Sequence, residues 1–207
     1  MTVKLYDTDS YLSHFNCKVI SLYSDENYIY IETDRTAFFP EGGGQTCDKG
    51  TLNGIDVENI QIIEGKIVHF VKNSDENAEK LQIGTILEGK IDVKKRFSDM
   101  QQHSGEHIFS GIVNKLYGYN NVGFHLGTEV VTLDFDGELN EDDICKAENL
   151  VNQAIWNNLE IKITFPSDEE LSKIKYRSKI EIVGQVRLVE IPGVDICACC
   201  APHVKFT

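Results

Sequence analysis

Two periodicities divide the chain. From residue 1 to about residue 90, apolar positions alternate with polar ones or gather in short β-branched and aromatic runs, the pattern of half-buried strands. Lys18-Val19-Ile20-Ser21-Leu22-Tyr23 and Tyr28-Ile29-Tyr30-Ile31-Glu32 flank the turn-forming Ser24-Asp25-Glu26-Asn27 and predict a hairpin. Residues 57–63 and 66–71, broken at Glu64-Gly65, predict a second, and residues 50–55 and 85–93 read as further strands. Short strands at this spacing point to a small antiparallel barrel or sandwich.

Beyond residue 90 the period lengthens. Met100, Ile108, Phe109, Ile112, Val113 and Leu116 form a helical stripe, with Ser98 and Gln101 as a capping box and Gly118 as the stop. Asn140 caps a second helix carrying Ile144, Ala147, Val151, Ala154 and Ile155, and Ser167 to Glu170 opens a short third. Residues 129–136, 161–165 and 186–191 read as strands. The expected class is α+β: a β-rich, barrel-like domain over 1–90, then helices on a mostly antiparallel sheet over 91–207.

Composition narrows the function classes. The 207 residues are 41% hydrophobic, enough for a buried core. No apolar run approaches the roughly 18–20 residues of a membrane span, and the N-terminus lacks a signal-like core, so a cytoplasmic protein without a membrane partner is expected. A net charge of −13 argues against a general nucleic-acid coat. Local phosphate contact then falls to two clusters, Lys94-Lys95-Arg96 and the alternating Lys173, Lys175, Arg177 and Lys179. Nothing in the pattern specifies an oligomeric state. Of the cysteines at 17, 47, 145, 197, 199 and 200, three crowd near the C-terminus, which in a reducing compartment favours metal or catalysis over disulfides.

The chemistry gathers in two pairs. His103 and His107, four apart on the first helix, present both rings on one face. Cys199 and His203 repeat the offset, although Pro202 makes a helix there unfavourable and predicts loop ligands. Three imidazoles and one thiolate suit Zn²⁺. Cys197 and Cys200 are alternative thiolates. His14 and His69 read as surface or strand residues, whereas His125, in the glycine-flanked turn Gly123-Phe124-His125-Leu126-Gly127, is a candidate to line the same cavity. Glu106 lies about 100° around the helix from His107, which argues against a metalloprotease-like general base. Upstream, Thr36-Ala37-Phe38-Phe39-Pro40-Glu41-Gly42-Gly43-Gly44-Gln45 is a loop whose glycines allow close approach of another backbone or a ligand.

With the glycine loop, His-x-x-x-His, the segment from Gly123 to Gly137, and Cys-x-x-x-His in this order, the chain resembles the alanyl-tRNA synthetase editing domain and its free-standing relatives, the AlaX proteins. The resemblance spans nearly the whole chain. It departs at the last motif, where Cys200-Ala201-Pro202 replaces the small glycines common in the family, and the chain ends four residues after His203, short of the helical extension of longer members. The resemblance implies a Zn²⁺-dependent hydrolase that cleaves serine or glycine from mischarged alanine tRNA. Such a second sieve is needed because a pocket discriminates one small group only roughly 10–200-fold. It also implies that Thr36 and Gln45 read the seryl hydroxyl, with His125 as a further site residue. The alternatives are serine removal from threonine tRNA, as in the threonyl-tRNA synthetase editing domain, and a non-catalytic zinc-stabilised module docking on RNA or a synthetase.

Overall fold

The computed structural model describes residues 2–127, 129–179 and 184–207. The chain divides into two compact units, Met1–Asp99 and Met100–Thr207. Among the described residues no helix is long and apolar enough to cross a membrane.

The first unit holds β1 (Val3–Lys4), β2 (His14–Ser24), β3 (Tyr28–Thr33), β4 (Arg35–Thr36), β5 (Gly50–Leu52), β6 (Ile55–Ile63), β7 (Lys66–Lys72), the short helix α1 (Asp75–Lys80) and β8 (Ile86–Ile91). Six of these strands close into an antiparallel barrel in the order β2-β3-β7-β6-β5-β8. Both hairpins stand where the turn residues place them, β2 against β3 and β6 against β7. Alternation does the sorting: along β8, Leu87, Gly89 and Ile91 are buried while Ile86, Glu88 and Lys90 are exposed. Ile29, Ile31, Leu52, Ile60 and Leu87 fill the interior with Phe38 and Phe39. The glycine run is a tight turn. Gly42 and Gln45 exchange both backbone hydrogen bonds at 3.1 Å, and Gly43 and Gly44 take the left-handed conformations (φ 62° and 83°) that the turn demands.

The helix α2 (Val93–Tyr117) begins in the first unit and continues into the second. It starts five residues before the expected Ser98, because Asp92 is the cap: its Oδ1 accepts from the backbone N–H of Lys94 (3.0 Å) and Lys95 (3.1 Å). The Ser98–Gln101 signature is therefore interior to the helix. Gly118, at φ 77°, ends it as expected.

The second unit adds β9 (Asn121–Leu126), β10 (Val131–Phe135), α3 (Glu141–Trp156), β11 (Lys162–Thr164), the one-turn α4 (Asp168–Leu171), β12 (Leu188–Ile191) and β13 (Asp195–Ala198). Asn140 caps α3 in a full capping box with Asp143, and Ser167 does the same for α4 with Glu170. β9 pairs with β10, and β11-β12-β13 form an antiparallel sheet. Met100, Ile108, Ile112 and Val113 of α2 bury against Ala147 and Ala154 of α3 and against Val189, Ile191 and Val194. Ile144 and Ile155, counted with the apolar face of α3, stay largely exposed. Two elements correct the sequence reading. The glycine-flanked stretch around His125 is a strand, and the segment entering Cys197 is strand β13, paired with β12.

Candidate metal centre

All four expected donors belong to the second unit. Helical spacing stacks His103 and His107, their ring centroids 5.4 Å apart. Strand β13 ends at Ala198 and releases Cys199, and the chain turns through Pro202 to bring His203 beside both rings, 4.9 Å from His103 and 4.6 Å from His107. One ligand atom from each of His103, His107, Cys199 and His203 lies within 4.8 Å of the others. Cys199 Sγ is 3.5 Å from His103 Nε2 and 3.4 Å from His203 Nε2. A tetrahedral Zn²⁺ with typical Zn–N and Zn–S bonds would separate N and S by about 3.5 Å, so this donor set fits that ion.

Two of the imidazoles have a polar side chain behind them. Nδ1 of His203 is 3.0 Å from Ser104 Oγ, which also accepts from the Val204 N–H. Asp195 Oδ2 stands 3.4 Å from His107 Nδ1, and Arg177 grips that carboxylate with two bonds of 2.8 Å. A carboxylate behind a ligating imidazole fixes the ring and raises its basicity. Burial alone would raise the Asp195 carboxyl, but His107 and Arg177 hold it below the usual range. Burial likewise opposes the Cys199 thiolate, yet the imidazoles, His103 foremost, bring it well below an ordinary thiol. Burial, reinforced by the neighbouring His107, pushes His203 down to about 3, which keeps it neutral and able to ligate. Cys197 is pushed up to about 12 by burial and stays a thiol, its Sγ facing the Ala198 carbonyl. Cys200 is exposed and lies outside the four-donor group.

Glu106 is the residue that sequence reasoning set aside. Its side chain is 1% exposed. Oε1 accepts from Ser110 Oγ (2.8 Å), Asn121 Nδ2 (2.8 Å) and Lys179 Nζ (3.3 Å), while Oε2 is 3.7 Å from His107 Nε2. The available signal was the Glu106–Ser110 spacing of four, a polar pair on the same helix as the His103–His107 donor pair.

The remaining expected site residues separate. Thr36 and Gln45 lie in the first unit, 0% and 1% exposed. Thr36 Oγ1 is bonded to His69 Nε2 at 2.9 Å and accepts from the Phe38 N–H. His125 is exposed on β9. Its neighbour Phe124 faces the imidazoles, 4.8 Å from His103, so strand alternation sends His125 to the other face. The basic clusters are engaged in part. Arg96 is buried, paired with Asp48 and bonded to the carbonyls of Ser10 and Ala37; Lys95 bonds Asp99, Thr46 and the Cys47 carbonyl. Arg177 is taken by Asp195, Lys179 is exposed but paired with Glu106, and Lys94, Lys173 and Lys175 are exposed. Lys173 pairs on the surface with Glu169.

Residues 14–95 match the family described as tRNA synthetases class II (A). Over its whole length the chain is 33% identical to the alanyl-tRNA editing protein AlaX-M of Methanosarcina acetivorans and 34% identical to that of Saccharolobus solfataricus, covering 89% of each. It is also 32% identical to AlaX-L of Pyrococcus horikoshii, of whose length it spans about half, 52%. Identity of this extent over the whole length of the chain makes it a member of the alanyl-tRNA editing protein family.

Proposed function

We propose that the protein hydrolyses the ester joining serine or glycine to the 3′ end of alanine tRNA, acting in trans with Zn²⁺ held by His103, His107, Cys199 and His203. The observation that carries this reading is the gathering of those four donors in a chain that spans most of the AlaX-M relatives. When bound there, zinc supplies a Lewis acid that polarises an ester carbonyl and acidifies water. The chain's own residues do the rest. Asp195, held by Arg177, aims His107; Ser104 aims His203; and Thr36 and Gln45 read the seryl hydroxyl. Thr36 keeps its bonds to His69 and the Phe38 N–H whichever ester binds, so the preference for serine comes from the added bond to the seryl hydroxyl, which an alanyl ester cannot make. Contact with tRNA falls to the exposed Lys94, Lys173 and Lys175.

The deciding assay measures deacylation of Ser-, Gly- and Ala-tRNA for alanine by zinc-loaded protein, with Ser-tRNA for threonine as the competing substrate. Rapid loss of serine and glycine with alanine retained is expected, and Cys199→Ala should lower both zinc content and rate at least 100-fold. In the same assay Thr36→Val should narrow the preference for seryl over alanyl ester. Cleavage confined to the threonine tRNA would overturn the choice of substrate. A second reading follows from the donor count, since four protein ligands can close a structural zinc site. It predicts that Cys199→Ala unfolds the second unit and that the parent deacylates none of these esters.

A further inference from the structure

Beside the four donors sits an ammonium that belongs to the chain itself. Lys179 Nζ lies 3.3 Å from Glu106 Oε1 and 5.0 Å from the centroid of Phe124, whose ring is 4.8 Å from that of His103. A carboxylate on one side and an aromatic face on the other is an environment suited to a primary ammonium. The two charged partners differ in how they are held. Glu106 is 1% exposed and pinned by Ser110 and Asn121, both of which remain if the cation leaves. The Lys179 side chain is 31% exposed and ends a flexible four-carbon stem.

We propose that Glu106 binds the α-ammonium of the aminoacyl ester, and that Lys179 holds that place until the ester displaces it. The inference rests on the ester-hydrolase reading above and names the part of the substrate that this corner of the site selects. Exchanging one ammonium for another leaves the buried carboxylate paired throughout, so displacement strands no charge. The geometry is economical as well. The α-nitrogen and the ester carbonyl carbon are separated by one Cα, about 2.5 Å. An ammonium seated at Glu106, whose other oxygen is 3.7 Å from His107 Nε2, therefore brings the scissile carbonyl to the donor cluster. Serine and glycine share this ammonium, so Glu106 admits both and leaves their discrimination from alanine to other groups. An N-acylated ester, including a peptidyl-tRNA, lacks the charge and is rejected.

The test uses three probes: Ser-tRNA for alanine, its N-acetyl derivative, and the non-hydrolysable 3′-seryl-amino-3′-deoxyadenosine. The parent should favour the free amine over the N-acetyl ester at least tenfold in kcat/KM. Glu106→Gln keeps an oxygen for Ser110 and Asn121. It should raise KM for Ser-tRNA at least tenfold with a smaller change in kcat, leave the N-acetyl ester at its parental rate, and leave zinc content unchanged. Lys179→Met should tighten binding of the seryl amide severalfold by removing the competing ammonium. Equal losses on both esters in Glu106→Gln, or weaker seryl-amide binding in Lys179→Met, would overturn the assignment. If the parent cleaves neither ester, the hydrolase reading fails. The amide-binding arm then still decides whether Glu106 is the ammonium site.

Discussion

His69 shows how a single buried ring ties a loop to the barrel. It is 0% exposed, and its Nδ1–H donates to the Ile31 carbonyl at 3.1 Å. Nε2 must then accept, and the donor is Thr36 Oγ1, whose oxygen in turn accepts from the Phe38 N–H. Burial keeps the imidazole neutral, pushing its pKa from 6.5 to about 4. Between those values the unfolded chain binds a proton that the folded one refuses. Stability contributed by this residue is therefore intact above pH ~6.5 and is lost as pH falls toward ~4, by up to about 3 kcal/mol. Urea titrations followed by circular dichroism should find the parent about 2 kcal/mol weaker at pH 5 than at pH 7 on this account. His69→Gln should show that much less pH dependence, and parallel slopes for the two proteins would refute the assignment. As for legibility, Thr36 was visible in the sequence as the polar residue that opens the glycine-containing loop. Its partner was not, because His69 reaches it only once β3 and β7 pair and the barrel closes.

At the scale of elements, the site depends on how closely α2 approaches the start of β13. Gly111 makes that approach possible: a Cβ there would stand 2.6 Å from Asp195 Cβ and 2.9 Å from the Val194 carbonyl oxygen. Gly111→Ala must therefore push Asp195 away from His107, either by moving the strand or by turning the carboxylate. We expect a loss of about 1–3 kcal/mol in stability from the overpacking. Zinc affinity should fall about 10–100-fold from the misaimed imidazole, measured by competition with a chelating dye. Unchanged zinc affinity would mean that Asp195 does not orient the ring. The donors themselves were legible because a spacing of four is a local property of the chain. Asp195, Arg177 and Glu106 were not, since each acquires its role from a different element. The strands β9 and β13 escaped for a related reason: glycines in one and cysteines in the other hide the alternation that sheet pairing then imposes.

For the whole molecule, the question is how a chain of net charge −13 would meet the polyanion proposed as its substrate. Sequence shows where its cations are but not which of them are already engaged. The structure answers by pairing. Arg96 and Arg177 are held by Asp48 and Asp195, and Lys95 and Lys179 by Asp99 and Glu106, so the two basic clusters contribute fewer surface charges than their composition suggests. Lys94 and Lys175 are exposed, whereas Lys173 is partly neutralised by its surface pair with Glu169. The variants should accordingly fall into two kinds. Lys94→Ala and Lys175→Ala should each weaken tRNA binding and lower the slope of log K against log salt by about one, with folding untouched. Lys173→Ala should do less. Arg96→Ala should instead cost about 3–5 kcal/mol of stability in the first unit, because it leaves the Asp48 carboxylate buried without its counter-ion. Affinity measured between 50 and 200 mM salt, together with a denaturation curve for each variant, separates the two kinds. An Arg96→Ala protein that folds like the parent but has lost one unit of salt slope would return that residue to the tRNA surface. It would also remove the structural role that its burial assigns.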